Sequence, residues 1–308
     1  MTKNIEIIDA HHHFWDLNQN YYPFLSDKID LDFFLGNYES IRKNYLPIDY
    51  IKDSKNHNII GTVHCEAEWN REDQVGETKW LQKLSKINKY PNAIVSHAWF
   101  HKKNAEAVIA EQASFDIVKG IRSKPSIRFS RNAEEYNKDG SMQDPNWRAG
   151  LKLLEKYNLN YDLRVPCWHL EEAIEIVRLI PNTKVIINHA GFPWDRSKEG
   201  MEFWRKRIKA ISLEPNTFIK LSEFGVNGQG WNYYENANII YELIDLFSPY
   251  RCMFASNFPV SGLKITFDNL FNNYKKIVEN FSIDEKNALF SETAIKTYNI
   301  QQNMLNKK

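Results

Sequence analysis

The run Asp9-Ala10-His11-His12-His13-Phe14-Trp15 sets two imidazoles, His11 and His13, two residues apart. On a β-strand that spacing turns both side chains to one face. Such a pair is half of a divalent-metal site or a place to exchange protons. A third imidazole, His189, ends the apolar run Val185-Ile186-Ile187-Asn188 just before Ala190-Gly191-Phe192-Pro193, where Gly and Pro force a turn. The segment Met253-Phe254-Ala255-Ser256-Asn257-Phe258-Pro259 has the same form and ends in Asn257. An asparagine holds a hydroxyl, a water or, weakly, a metal through its carbonyl, but it is no general base at neutral pH.

Charged groups follow the other apolar runs. Arg122 offers a planar fork for a substrate carboxylate or carbonyl, and Arg128, six residues on, is a second candidate. The plainer alternative for Arg122 is an ion pair. Glu66 beside His64 is the first choice for a base, with Glu223 and Asp195 as other options and a salt bridge as the competing role. His64 joins the arginines as a candidate substrate contact. His97 and His169 read as structural, and Arg164 and Lys220 equally as scaffold charges.

These residues need elements to hold them. Short apolar or β-branched runs recur at 5–10, 59–65, 93–98, 116–121, 160–165, 184–189, 217–221 and 251–255. Helical periodicity fills 80–86, 104–113, 147–157, 170–180, 202–211 and 236–247, with two more helical segments at 267–281 and 283–298. Strand–helix alternation predicts parallel pairing, and eight strands predict a closed (β/α)8 TIM barrel in one domain over 1–308. Two long excursions stand out. The first, 16–58, is rich in aromatics and reads as a lid or as packing between barrel and helices; the second, 123–146, carries Lys124, Arg128 and Arg131.

Across 308 residues, 40 basic and 39 acidic side chains leave a net charge of +1, mixed along the chain, which speaks against nucleic-acid or membrane partners. Hydrophobic residues at 43% supply a large core. Cys65, Cys167 and Cys252 cannot all pair, so a reducing, cytoplasmic location is expected. The start is too charged for a signal peptide, and no run reaches the ~20 apolar residues of a membrane span.

Together DAHHHFWD (9–16), VKGIR (118–122), INHAGFP (187–193), KLS (220–222) and SNFPV (256–260) resemble the amidohydrolase-related (amidohydrolase 2) branch of the amidohydrolase superfamily. That group holds 2-pyrone-4,6-dicarboxylate lactonase and sugar-acid lactonases such as L-fuconolactonase and L-rhamnonolactonase. The resemblance implies a metal-dependent-hydrolase barrel in which a first-strand HxH, a sixth-strand His and an eighth-strand Asp surround a lactone, the Asp activating water. His11, His13 and His189 match, whereas Asn257 stands where the family has Asp. The carboxylated Lys and fifth-strand His of binuclear members have no counterpart, so a binuclear centre is not expected. A single Zn²⁺ or Mn²⁺ on His11, His13 and His189 and a metal-independent site both stay open. The expected activity is hydrolysis of a small carboxylated or sugar-acid lactone, within carbohydrate metabolism. Alternatives are a metal-dependent decarboxylase of the aminocarboxymuconate-semialdehyde type and a non-catalytic binding barrel. The expected partners are a small molecule and, for the subunit, a second copy in a homodimer.

Overall fold

The computed structural model describes residues 5–133 and 139–306, so residues 134–138 of the second long loop lie outside it. Eight strands form: β1 (Ile7–His12), β2 (Ile59–Cys65), β3 (Ala93–Ser96), β4 (Val118–Ile121), β5 (Asn160–Leu163), β6 (Val185–Ile187), β7 (Thr217–Leu221) and β8 (Cys252–Phe254). They pair in chain order, each parallel to the next. The ends meet where the Asn257 amide donates to His11 O at 2.7 Å and the His13 amide to Phe258 O at 2.8 Å. The molecule is a TIM barrel, as the alternation of runs predicts.

The helices are α1 (Pro23–Ser26), α2 (Pro47–Ser54), α3 (Gly76–Asn88), α4 (Ala105–Ala113), α5 (Pro145–Lys156), α6 (Leu170–Leu179), α7 (Lys198–Ser212), α8 (Tyr233–Phe247), α9 (Phe267–Ile277), α10 (Ile283–Asn287) and α11 (Thr293–Thr297). Their starts are set by side chains that accept orphan amides, such as Asp144 before α5, Ser197 before α7 and Thr266 before α9. The segment 283–298, expected as one helix, passes through a wide π-helical turn at Ala288–Glu292 between α10 and α11.

Strand side chains divide between two cores. Ile8, Ala10, Val63, Cys65, Val95, Ile186, Met253 and Ala255 cluster inside the barrel with Ala294 and Tyr298 from its base. Alternate residues such as Ile7, Ile121, Leu163, Ile187, Leu221 and Phe254 pack outward against the helices. The β1–β2 register shifts between Asp9 and His12. That bulge lets inward Ala10 be followed by inward His11, with Asp9 and His12 facing the helices. Asp9 there accepts from Tyr50 Oη at 2.9 Å and Ser256 Oγ at 2.6 Å. Burial in this wall raises its carboxyl to about 6.

The 16–58 excursion folds back over the mouth. Trp15 pairs with Tyr45 through the backbone, and its indole donates to Lys43 O at 2.7 Å. Tyr22, Tyr38, Tyr45 and Tyr50 are buried in the wall, while Phe24, Phe33 and Phe34 are half-buried over the pocket. All three cysteines are unpaired and buried. Among the described residues no helix is long and apolar enough to cross a membrane.

Candidate active site

At the C-terminal ends of the strands a pocket of about 330 Å³ opens between the barrel and the first excursion. His13, Glu66, Arg122, Arg164, His189 and Asn257 line its floor, and Trp15, Phe24, Phe33, Phe34 and Tyr38 form an aromatic wall. Such loops at this end of a TIM barrel carry the chemistry of the fold. His189 and Asn257 both sit in the left-handed region, with φ of 54° and 53°. Strained non-glycine backbone of this kind persists where the surroundings over-determine it, and functional sites collect it.

The three expected imidazoles come together. The His11 ring centroid lies 5.0 Å from that of His13 and 4.5 Å from that of His189. Buried Lys220 approaches His11 Nδ1 at 3.3 Å and holds Asp162 Oδ1 at 2.6 Å, below the pocket. His13 Nδ1 lies 2.7 Å from Cys65 O, an acceptor only, so this nitrogen carries the hydrogen. His189 Nδ1 pairs with Ser222 Oγ at 3.0 Å, leaving Nε2 to the pocket. Burial first holds each ring well below the ordinary histidine value, reinforced by Lys220 for His11, Arg122 for His13 and Arg164 for His189. All three are therefore neutral at pH 7.

Glu66 does not stand free as a base. Its Oε1 accepts from Arg122 Nε at 2.7 Å, its Oε2 meets Arg71 at 2.9 Å, and Lys124 lies 3.5 Å away. Burial raises this carboxyl, but Arg122, Arg71 and Lys124 outweigh it and hold it well below the usual range. A carboxylate so held is a poor proton acceptor near neutral pH. Arg122 belongs to the same network, since its other nitrogens reach Glu66 O and, at 3.4 Å, Asn188 Oδ1, while its guanidinium still lines the pocket. Arg71 escaped the sequence reading; the charged spacing Glu66-x-Glu68-x-x-Arg71 was the available signal.

Two expected substrate contacts lie elsewhere. His64 faces outward from β2 and packs against His12 and Phe14, because strand alternation that points Cys65 inward points His64 away. Arg128 is turned to the 123–146 loop, donating through its backbone to His169 Nε2 at 2.9 Å and through its guanidinium to Trp168 O at 3.3 Å. Neither lines the pocket. Asp195 pairs with Arg131 at 3.7 Å with its side chain half exposed, away from the imidazoles.

Asn257 is the hinge of the floor. Its Oδ1 lies 3.0 Å from His13 Nε2, and its Nδ2 donates to Glu223 Oε2, which also accepts from Ser261 Oγ at 2.9 Å. Burial raises the Glu223 carboxyl, opposed by its hydrogen bonds to Asn257 and Ser261. Where the first-choice base is locked by cations, Glu223 is the acid tied to the imidazole cluster, through Asn257.

The profile of the Amidohydrolase family matches residues 8–300. The chain belongs to the amidohydrolase family. The protein y4mH of Sinorhizobium fredii is 36% identical over 96% of this chain and 99% of its own length. An L-fucono-1,5-lactonase of Burkholderia ambifaria is 23% identical over 83% of this chain and 81% of its own. Among solved structures, a zinc-bound amidohydrolase of Burkholderia multivorans superposes with a TM-score of 0.77 at 20% identity, covering 96% of this chain and 99% of that one.

Members of this superfamily are typically metal-dependent, and this amidohydrolase offers two donor sets. His11, Cys65 and Asp162 present ligand atoms within 4.8 Å of one another, but Lys220 already bonds two of the three. The set His11, His13 and His189 fits a divalent ion better. His11 Nε2 is buried with no hydrogen-bond partner among the described residues, beside the other two rings, and neutral imidazoles are suitable ligands.

Proposed function

We propose that this amidohydrolase hydrolyses a small lactone, water attacking the ring carbonyl. The observation that carries the reading is the convergence of neutral His13 and His189, Asn257 and the guanidinium groups of Arg122 and Arg164 on one aromatic-walled pocket, with neutral His11 buried against both imidazoles. The similarity to L-fucono-1,5-lactonase supports it. A cytoplasmic setting goes with the reading, supported by the three unpaired cysteines.

In this mechanism Asn257 orients the water and His189 Nε2 takes its proton as the oxygen bonds to the carbonyl carbon. The carbonyl electrons move onto oxygen, where the charge of Arg122 stabilises them. Collapse of the adduct breaks the ring carbon–oxygen bond, and His189 returns its proton to the leaving oxygen, giving the hydroxy acid. Glu66 keeps Arg122, Arg71 and Lys124 in place, and Glu223 fixes the Asn257 amide. If His11, His13 and His189 hold a divalent ion, it would supply a Lewis acid for the carbonyl and a more acidic water, and His189 Nε2, then a ligand, would no longer serve as the base.

The test is a pH-indicator screen of carboxylated and sugar-acid lactones, run with elemental analysis of untagged protein and with His189→Ala. Proton release that His189→Ala abolishes supports the reading. Carbon dioxide release instead would favour decarboxylation, and binding without turnover would favour a non-catalytic barrel.

A further inference from the structure

The pocket cations are not equally engaged. Arg122 is held by Glu66 and Asn188, while Arg71 and Lys124 pair with Glu66 and Glu68. Asp30, the remaining acid of the lining, sits at the exposed rim and accepts from the Asp32 amide. Arg164 differs from its neighbours. It projects inward from the end of β5 into the same pocket, its guanidinium 5.2 Å from the Phe192 ring, and among the described residues no carboxylate forms an ion pair with it, Glu66 and Glu223 acting on it only at longer range.

A guanidinium set into a half-open pocket gives up part of its hydration, which a counter-charge restores. The burial and the like charge of Arg122 lower Arg164 to about 10, so it keeps its proton at neutral pH. Phe192 supports one face of the fork and leaves its edge for a planar anion, the geometry in which Arg recognises a carboxylate through two parallel hydrogen bonds. Sequence reasoning assigned that task to Arg122, which the structure shows to be already ion-paired with Glu66 and bonded to Asn188.

We infer that Arg164 is the carboxylate-docking residue of this pocket, so that the substrate is an anionic lactone rather than an uncharged sugar lactone. This rests on the lactonase reading above. With the carboxylate on Arg164, beside His189, the ring carbonyl is carried toward the imidazole floor, and binding energy from the non-reacting end orients the reacting one.

The experiment uses the full chain and a non-reacting probe, glutarate, titrated calorimetrically into wild type, Arg164→Gln and Arg164→Lys. In parallel, kcat/KM is measured for 2-pyrone-4,6-dicarboxylate and for uncharged L-fucono-1,5-lactone. Loss of a charged bidentate contact is expected to weaken glutarate on the order of 10- to 100-fold in Arg164→Gln, with Arg164→Lys in between. The ratio of kcat/KM for the anionic over the neutral lactone is expected to fall by a similar factor, mainly through KM. Should Arg164→Gln not fold, the lysine variant and the salt dependence of wild-type glutarate binding decide instead. The inference is overturned if wild type fails to bind glutarate, if the variants bind it equally well, or if both lactones are affected alike. Arg164-dependent glutarate binding with no lactone turned over would sink the lactonase reading and leave the anion site standing.

Discussion

Asn257 stands between a histidine and a glutamate, and its amide turns the oxygen to one and the NH2 to the other, so the NH2 cannot serve both. His13 Nδ1 is committed to Cys65 O, so a neutral His13 asks for a donor at Nε2, while an ionised Glu223 asks for the same donor. One extra proton, on His13 or on Glu223, satisfies the chain. An aspartate at 257 would instead face Glu223 with like charge, and two adjoining carboxylates cannot both ionise cheaply. Asn257→Asp is therefore expected to destabilise the fold by about 1–3 kcal/mol, and Glu223→Gln in the same chain to recover most of it. Thermal melts of the double-mutant cycle check this; additive effects would show that the two positions do not communicate. For His189→Ala, a folded variant is expected to lose ~10²–10⁴-fold in kcat/KM, the usual yield of a positioned acid–base group. Because burial and Arg164 hold His189 well below its ordinary value, the acid limb of the wild-type profile should lie below pH 6.5, the base staying unprotonated there. A limb above that pH would count against His189 as the base.

Among the elements, two local contacts matter most: the β1 bulge, and the seating of α5 on the turn that follows β3. The bulge decides that His11 and His13 both face the axis while His12 packs with Phe14 and Tyr50. In that seating, Gly150 of α5 rides directly on Phe100, where an added Cβ would lie 2.3 Å from Phe100 O and 2.7 Å from its Cα. Backbone cannot yield as a side chain does. Gly150→Ala is expected to cost about 1–3 kcal/mol, read as a lowered denaturant midpoint at unchanged m-value. A neutral result would mean that α5 slides outward freely.

The whole molecule carries a pH dependence of its own, apart from catalysis. His64 is fully buried in the wall, and burial, opposed only in part by Phe14 O, lowers it to about 3. In the unfolded chain it titrates near 6.5, so between those values the unfolded state binds the extra proton and stability rises with pH. This contribution is complete above pH 6.5 and is lost as pH falls toward 3. Between pH 6.5 and 5 it amounts to roughly 2 kcal/mol. His64→Leu is expected to flatten that decline in urea titrations at pH 5 and 6.5, and an equal slope in both proteins would remove His64 as its source. The barrel that buries His64 is also what joins residues 56 positions apart, Glu66 and Arg122, into one ion-paired floor.

Period and alternation were legible in the chain alone. Eight β-branched runs separated by helical spacing specify the barrel, because a side-chain period of two and a period of 3.6 are local properties. The same period aligned His11 with His13, and the Gly and Pro turns put His189 and Asn257 at strand ends. Charge pairing was not legible, since it depends on distances across strands that only closure of the barrel brings together. Tertiary structure alone decided that Glu66 is neutralised by Arg122 and Arg71, that Glu223 answers Asn257, that His64 belongs to the wall, and that Arg164 is the guanidinium left for an anion.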